Sequence, residues 1–270
     1  MRYSHPMTFT GSALIGLMAA VSLGAPRVLA NLTKDELASV EIVDEVTIPT
    51  PGEFFTAMGR VGRPTWSAVV RTGAPATSDS RTLMALALGT LVADGYVAVE
   101  AQDEQSVKNI GKEILALAKK LNVSQNVLGR SNSINDFAGN NNWDALREEL
   151  EATQNEVKLD MATQNDDRLV TLVTLGAWLR GVDIVSGIVS AEYSPEAARL
   201  LRQPGIARHL IRLIDALPEA ARNEAPLPAL RASLETVLPL IEPPTPSLEQ
   251  TQKLRDTMRA LDQTIVAAKP

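Results

Sequence analysis

Two long apolar stretches, residues 83–101 and 169–190, constrain this chain more than any other feature. The first contains Leu88-Gly89-Thr90-Leu91-Val92-Ala93-Asp94-Gly95-Tyr96. The second contains Leu175-Gly176-Ala177-Trp178-Leu179-Arg180-Gly181-Val182-Asp183. Helices that are apolar nearly all round belong inside a larger helical body, because no face of such a helix prefers water. Gly89 and Gly176 interrupt the two stretches at places where a neighbouring backbone can come close. Leu-Gly recurs at Leu88 and Leu175, each inside a long helix followed by amphipathic segments. That repetition is open to two readings, two similar halves or two unrelated buried helices.

The N-terminal 30 residues have the layout of an export signal. Arg2 and His5 precede an apolar run at 13–23, and Val28-Leu29-Ala30 offers a small-x-small cleavage site before Asn31. The run is shorter than the roughly 20 residues that span a bilayer. The expected product is periplasmic or secreted, begins at Asn31, and does not insert stably in a membrane. Arg180 and Asp183 near the middle of the second apolar stretch also oppose insertion. Loss of Arg2 and Arg27 makes the product two charges more negative than the −6 of the full chain. An acidic chain without basic clusters argues against nucleic acid as a partner.

The inventory excludes several chemistries. There is no Cys, so neither disulfides nor thiolate sites are available. After export His209 is the sole histidine, which rules out a multi-histidine zinc site. No Gly-x-Ser-x-Gly or phosphate-loop pattern occurs. Glu148, Glu149, Glu156 and Asp160 lack the Glu-x-x-His companions of a bundle di-metal site and read as a solvated face. No metal and no cofactor is expected.

Along the chain, 31–50 reads as a polar leader, in which 40–48 is either a short strand or an extended arm. Pro51 opens a helix bearing Phe54, Phe55 and Met58. Pro64 opens a second short helix with Trp66, Val69 and Val70. A loop at 73–77 precedes the first long helix, about 79–103, capped by Asp79 or Ser80. Val107, Ile110, Ile114, Leu117 and Leu121 mark an amphipathic helix over 104–121. A weaker helix at 124–137 and a Gly139–Asn142 turn follow. A polar helix over 143–163 comes next, and then the second long helix, about 166–190, capped by Asp166. Pro195, Pro204, Pro218 and Pro228 punctuate shorter helices. A Pro-rich hinge at 242–246 leads to a last helix at 247–268, where Ser247 and Gln250 form a capping box. The fold class is all-α: a multi-helix bundle with two central apolar helices, in a single domain over 51–270.

From about residue 51 to 189 the order of these segments resembles a family of exported all-helical bacterial proteins of unknown function. Its members carry a Leu-Gly-x-Tyr-x-Ala-Asp-Leu helix and later a Gly-Gly-Trp-Ile-Glu-Gly-Leu helix. The matching residues are 88–94, Leu121-Asn122-Val123, 139–142 and 176–182. Leu91 stands where the family has Tyr, and Arg180 where it has Glu. The resemblance implies an exported helical bundle and brings no activity with it.

Asp94, Arg180 and Asp183 are charges placed in apolar helices. Buried charges are costly unless paired, so these residues either pair internally or line a wet cavity. The internal pairing is the expected arrangement, as Asp94–Arg180 or as Arg180–Asp183 at i,i+3. The functional alternative is a ligand pocket formed by Asp94, Tyr96, Trp178, Arg180 and Asp183. The narrow stripe Leu254, Met258, Leu261, Ile265 either docks on the bundle or meets a partner. Two classes of function follow. The first is a non-catalytic module for an unidentified protein or small molecule. The second is an Asp/Glu/Arg-based enzyme with a central cleft, and an oligomeric scaffold using the last helix is a third, weaker option.

Overall fold

A computed structural model describes residues 48–71, 79–123, 129–163 and 166–267. The expected signal segment, most of the leader, the 73–77 loop and the start of the 124–137 helix lie outside the described residues. Among the described residues every regular element is helical. In chain order these are α1 Pro51–Val61, a 3-10 turn Trp66–Ala68, α2 Arg81–Glu100 and α3 Glu104–Lys120. Then come α4 Ser131–Gly139, α5 Trp143–Thr163, α6 Asp167–Ala191, α7 Pro195–Arg199 and α8 Pro204–Ala216. The last are α9 Glu219–Arg222, α10 Leu227–Ile241 and α11 Leu248–Ala267.

The two apolar stretches are α2 and α6, and they pack on each other more extensively than any other pair. Both are long and apolar enough to cross a membrane by length and composition, yet both are mostly buried within the bundle. Their glycines explain the close packing. A Cβ on Gly176 would lie 2.1 Å from the Leu86 carbonyl oxygen, and one on Gly89 would lie 2.1 Å from that of Val173. Both obstacles are backbone, so no side-chain rotation could make room. α11 packs on α6, α3 on α2, and α10 bridges α8 and α11. Residues 46–270 group as one compact unit.

Local chemistry sets the helix ends. Thr50 and Glu53 form a reciprocal capping box at α1, with Pro51 in its first turn. Ser80 caps α2 by accepting from the Leu83 amide at 3.2 Å. α2 stops at Glu100, short of the expected 103, because Gln102 turns left-handed (φ 54) and Asp103 already caps α3. Asp166 caps α6, accepting from the Leu169 amide at 3.0 Å. Ser247 and Gln250 exchange the two bonds of the capping box at α11.

The short helix expected after Pro64 is the 3-10 turn Trp66–Ala68, without a side-chain cap, and Val69 and Val70 lie beyond it. The Pro-rich segment at 242–246 is tied to the bundle by side chains. The Tyr193 hydroxyl donates to the Pro246 carbonyl at 2.9 Å, Arg199 reaches Thr245 at 3.3 Å, and Arg208 pairs with Glu242. The α11 stripe Leu254, Met258, Leu261 and Ile265 is accordingly buried against the bundle. The face that a scaffold would use is already covered by this chain.

Candidate functional site

The five residues singled out as a pocket fall into two places. Asp94, Arg180 and Asp183 meet in a buried charge network. Tyr96 and Trp178 line a separate apolar cavity, and the linings of the two spaces have no residue in common.

The network is centred on Arg180, 8% exposed. Its Nε donates to Asp94 Oδ1 at 2.8 Å, its Nη1 to Asp183 Oδ2, and its Nη2 to the Val69 carbonyl at 3.3 Å. Asp183 sits at i,i+3 from Arg180 on α6, the spacing that brings the two onto one face. Two further residues complete the network, and the sequence did not single them out. Arg71, just after the 3-10 turn, approaches Asp94 Oδ2 at 3.1 Å and donates to Asp262 Oδ2 at 2.7 Å. The Arg71–Asp94 approach is close but not aligned as a hydrogen bond, so Asp94 Oδ2 accepts none. Asp262, on α11, interrupts an otherwise apolar buried face. That interruption was its only signal in the sequence.

Burial pushes the carboxyl pKa of Asp94 up against the opposing pull of Arg180 and Arg71. It does the same to Asp183 against Arg180, and Asp262 adds to the rise there. Burial lowers the Arg180 pKa, but Asp94, Asp262 and Asp183 outweigh it and hold the guanidinium above its ordinary value. Over Arg180, Asp183 and Asp262 lies an open cleft of about 440 Å³. Arg259 stands at its edge with a 58% exposed side chain, 3.9 Å from Asp183 Oδ1. Asp183 Oδ1 and Asp262 Oδ1 have no hydrogen-bond partner.

The apolar cavity, about 150 Å³, lies between α2, α3, α5 and α6, with residues 48–51 at one edge. Its walls include Leu88 and Val92 of α2, Ile110 and Ile114 of α3, and Val173 and Ala177 of α6. Polar groups enter at few points. The Tyr96 hydroxyl donates to Gln154 Oε1 at 3.2 Å, and Trp178 Nε1 to Gln203 Oε1 at 2.8 Å. Burial, then Glu151 and Glu53, raise the Tyr96 pKa. Thr153 Oγ1 is buried at the wall with no partner. Gly111 also lines the cavity, and a Cβ there would meet nothing within 4 Å. The charged lining residues are Lys108 and Lys112, one turn apart on α3. Lys108 pairs with Glu104.

The remaining candidates have plain structural roles. Glu149 and Glu156 are counter-ions of Arg130. Among the described residues no group of three or more His, Asp or Glu could hold a metal ion. His209 is half-buried on α8 beside Arg212, at 3.5 Å, on a different element from both spaces. Compared with family models, curated proteins and solved structures, the chain matches none of them.

Proposed function

We propose that this chain is an exported, non-catalytic binding module whose small ligand occupies the apolar cavity between α2, α3, α5 and α6. The observation that carries the reading is the cavity itself, a space with apolar walls between four helices of the bundle. Interiors pack to crystal density, and an apolar void forfeits dispersion contacts on every wall. An apolar cavity of about this size stays dry and accepts a molecule of roughly benzene size. Export is supported by the layout of residues 1–30.

A ligand that binds only the folded chain raises its melting temperature with concentration. Toluene is the direct probe, being uncharged and close in size. Saturable, one-to-one stabilisation by toluene is expected; a melting temperature indifferent to toluene ends the reading. Protein recovered from the producing cell should begin at Asn31, and a soluble cytoplasmic product retaining Met1 would rule out export.

A second reading, an Asp/Glu/Arg-based enzyme, has one observation in its favour. Asp183 and Asp262 flank an open cleft and each carries an unpartnered oxygen. Turnover of a small soluble substrate that disappears in Asp262→Asn without loss of stability would put this reading first.

A further inference from the structure

We infer that the ligand of the apolar cavity is a small amphiphile with one anionic head, of the medium-chain carboxylate class, its head held at Lys112 and Lys108 and its chain between α2 and α6. The inference rests on the binding reading above and adds the chemistry of the ligand.

Three observations converge on it. First, charge at the cavity has one sign. The chain as a whole is acidic, at −6, yet both charged residues lining this space are lysines. Lys108 is shared with Glu104, whereas Lys112 is exposed at the lining. A lysine stem lies well along an apolar wall while its ammonium stays at the rim, where it meets an anion without being desolvated. Second, the wall holds one polar atom in want of a partner. Thr153 Oγ1 is buried and unbonded, and a hydroxyl in that state lacks the hydrogen bond that would offset its desolvation. A carboxylate oxygen is an acceptor that fits it. Third, Gly111 lies between the two lysines' turns, in a helix interior where glycine is less favourable than alanine. No neighbour requires it, since a Cβ there would touch nothing. What the missing side chain leaves is open space at the lysine end of the cavity.

The test uses the full chain and four probes: octanoate, octanol, octane and toluene, titrated by calorimetry at low salt. Octanoate is expected to bind at least about threefold more tightly than octanol, the gain an exposed ion pair supplies. In the double variant Lys108→Gln/Lys112→Gln that gain should vanish while octanol and toluene affinities stay the same. Gly111→Leu should fill the lysine end and abolish octanoate binding. The two lysines lie on the surface of α3, so the glutamine pair keeps the test decisive even if Gly111→Leu unfolds. Octanoate binding no tighter than octanol, or a preference for octanoate that survives the glutamine pair, overturns the inference while toluene binding preserves the cavity reading. No binding by any of the four probes overturns both.

Discussion

Around Arg180, three aspartates and two arginines pair beneath an open cleft, each aspartate keeping one oxygen without a hydrogen bond; around Gly111, apolar walls stand apart and leave a void. Both regions border the same pair of helices, α2 and α6. The first spends buried charge to fix how residues 69–71, α2, α6 and α11 meet, since Arg71 and Arg180 each bond groups on more than one of them. The second forgoes packing along α3 and α5. Burying charge costs several kcal/mol per ion unless geometry returns it. Leaving a cavity costs on the order of 24 cal/mol per Å³. On the proposed reading the charged region serves the structure and the apolar space serves binding.

The sharpest way to break that comparison is Arg180→Ala. It leaves Asp183 with only the distant Arg259 and Asp94 with the unaligned Arg71. A loss of about 3–5 kcal/mol is expected on urea unfolding, the cost of stranding buried carboxylates. Asp94→Ala with Arg180→Ala should cost less than the two single changes added together. If Arg180→Ala leaves stability near that of the parent, the network is not structural and the cleft above it becomes the better site.

Gly176→Ala tests the frame that both regions share. Its new Cβ would meet the Leu86 carbonyl at 2.1 Å, so the helices must separate. We expect a loss of about 3 kcal/mol, the upper part of the range for overpacking. The Asp94–Arg180 coupling should fall in the same variant, because that pair spans the two helices. Unchanged stability would mean that α2 and α6 do not touch at this point.

Gly111→Ala asks the opposite question of the cavity. The new methyl meets open space and the helix gains propensity, so a gain of about 1 kcal/mol is expected in the same unfolding experiment. A loss would show that the space is already occupied. The pair Gly176 and Gly111 thus separates a glycine needed for contact from one that leaves room.

Much of the frame was legible in the sequence, and for a physical reason. Apolar period, caps and prolines act locally, so Asp166 and the Ser247–Gln250 box could be read directly and the α2 cap narrowed to Asp79 or Ser80. Gly89 and Gly176 stood out because glycine inside an apolar helix is unfavourable without a close neighbour. The charges Asp94, Arg180 and Asp183 stood out because nothing apolar explains them. What the sequence hid was distance. Arg71 and Asp262 reach the network from segments 191 residues apart, and only Asp262 carries a local signal, beside the apolar stripe of α11. Tyr96 and Trp178 were grouped with the charges because they are near them in sequence, yet in a helix neighbours two residues apart point to different faces. The cavity could not be read at all, since it is the shape left between four helices.

The smallest effect separates a buried carboxylate of the network from an exposed one, by the sign of its pH dependence. Burial raises the Asp183 pKa above its ordinary value. The groups that face it are Arg180 on its own helix and Asp262 and Arg259 on α11. The folded chain therefore takes up a proton at Asp183 more readily than the unfolded chain. Where the folded state binds more protons, stability rises as pH falls, here between the raised value and the ordinary carboxylate value. At Asp103 the Ser106 amide and hydroxyl hold the carboxyl below its ordinary value. Its contribution is complete above the ordinary value and is lost as pH falls through the lowered one. Unfolding free energies of the parent minus those of Asp183→Asn should thus climb on acidification, while the same difference for Asp103→Asn should decline. Asp103→Ala should cost about 1 kcal/mol near neutral pH, as the loss of a helix cap does. If both differences slope the same way, Asp183 behaves as a solvated surface carboxylate, and the contrast between the charge network and the apolar cavity fails at one of its buried acids.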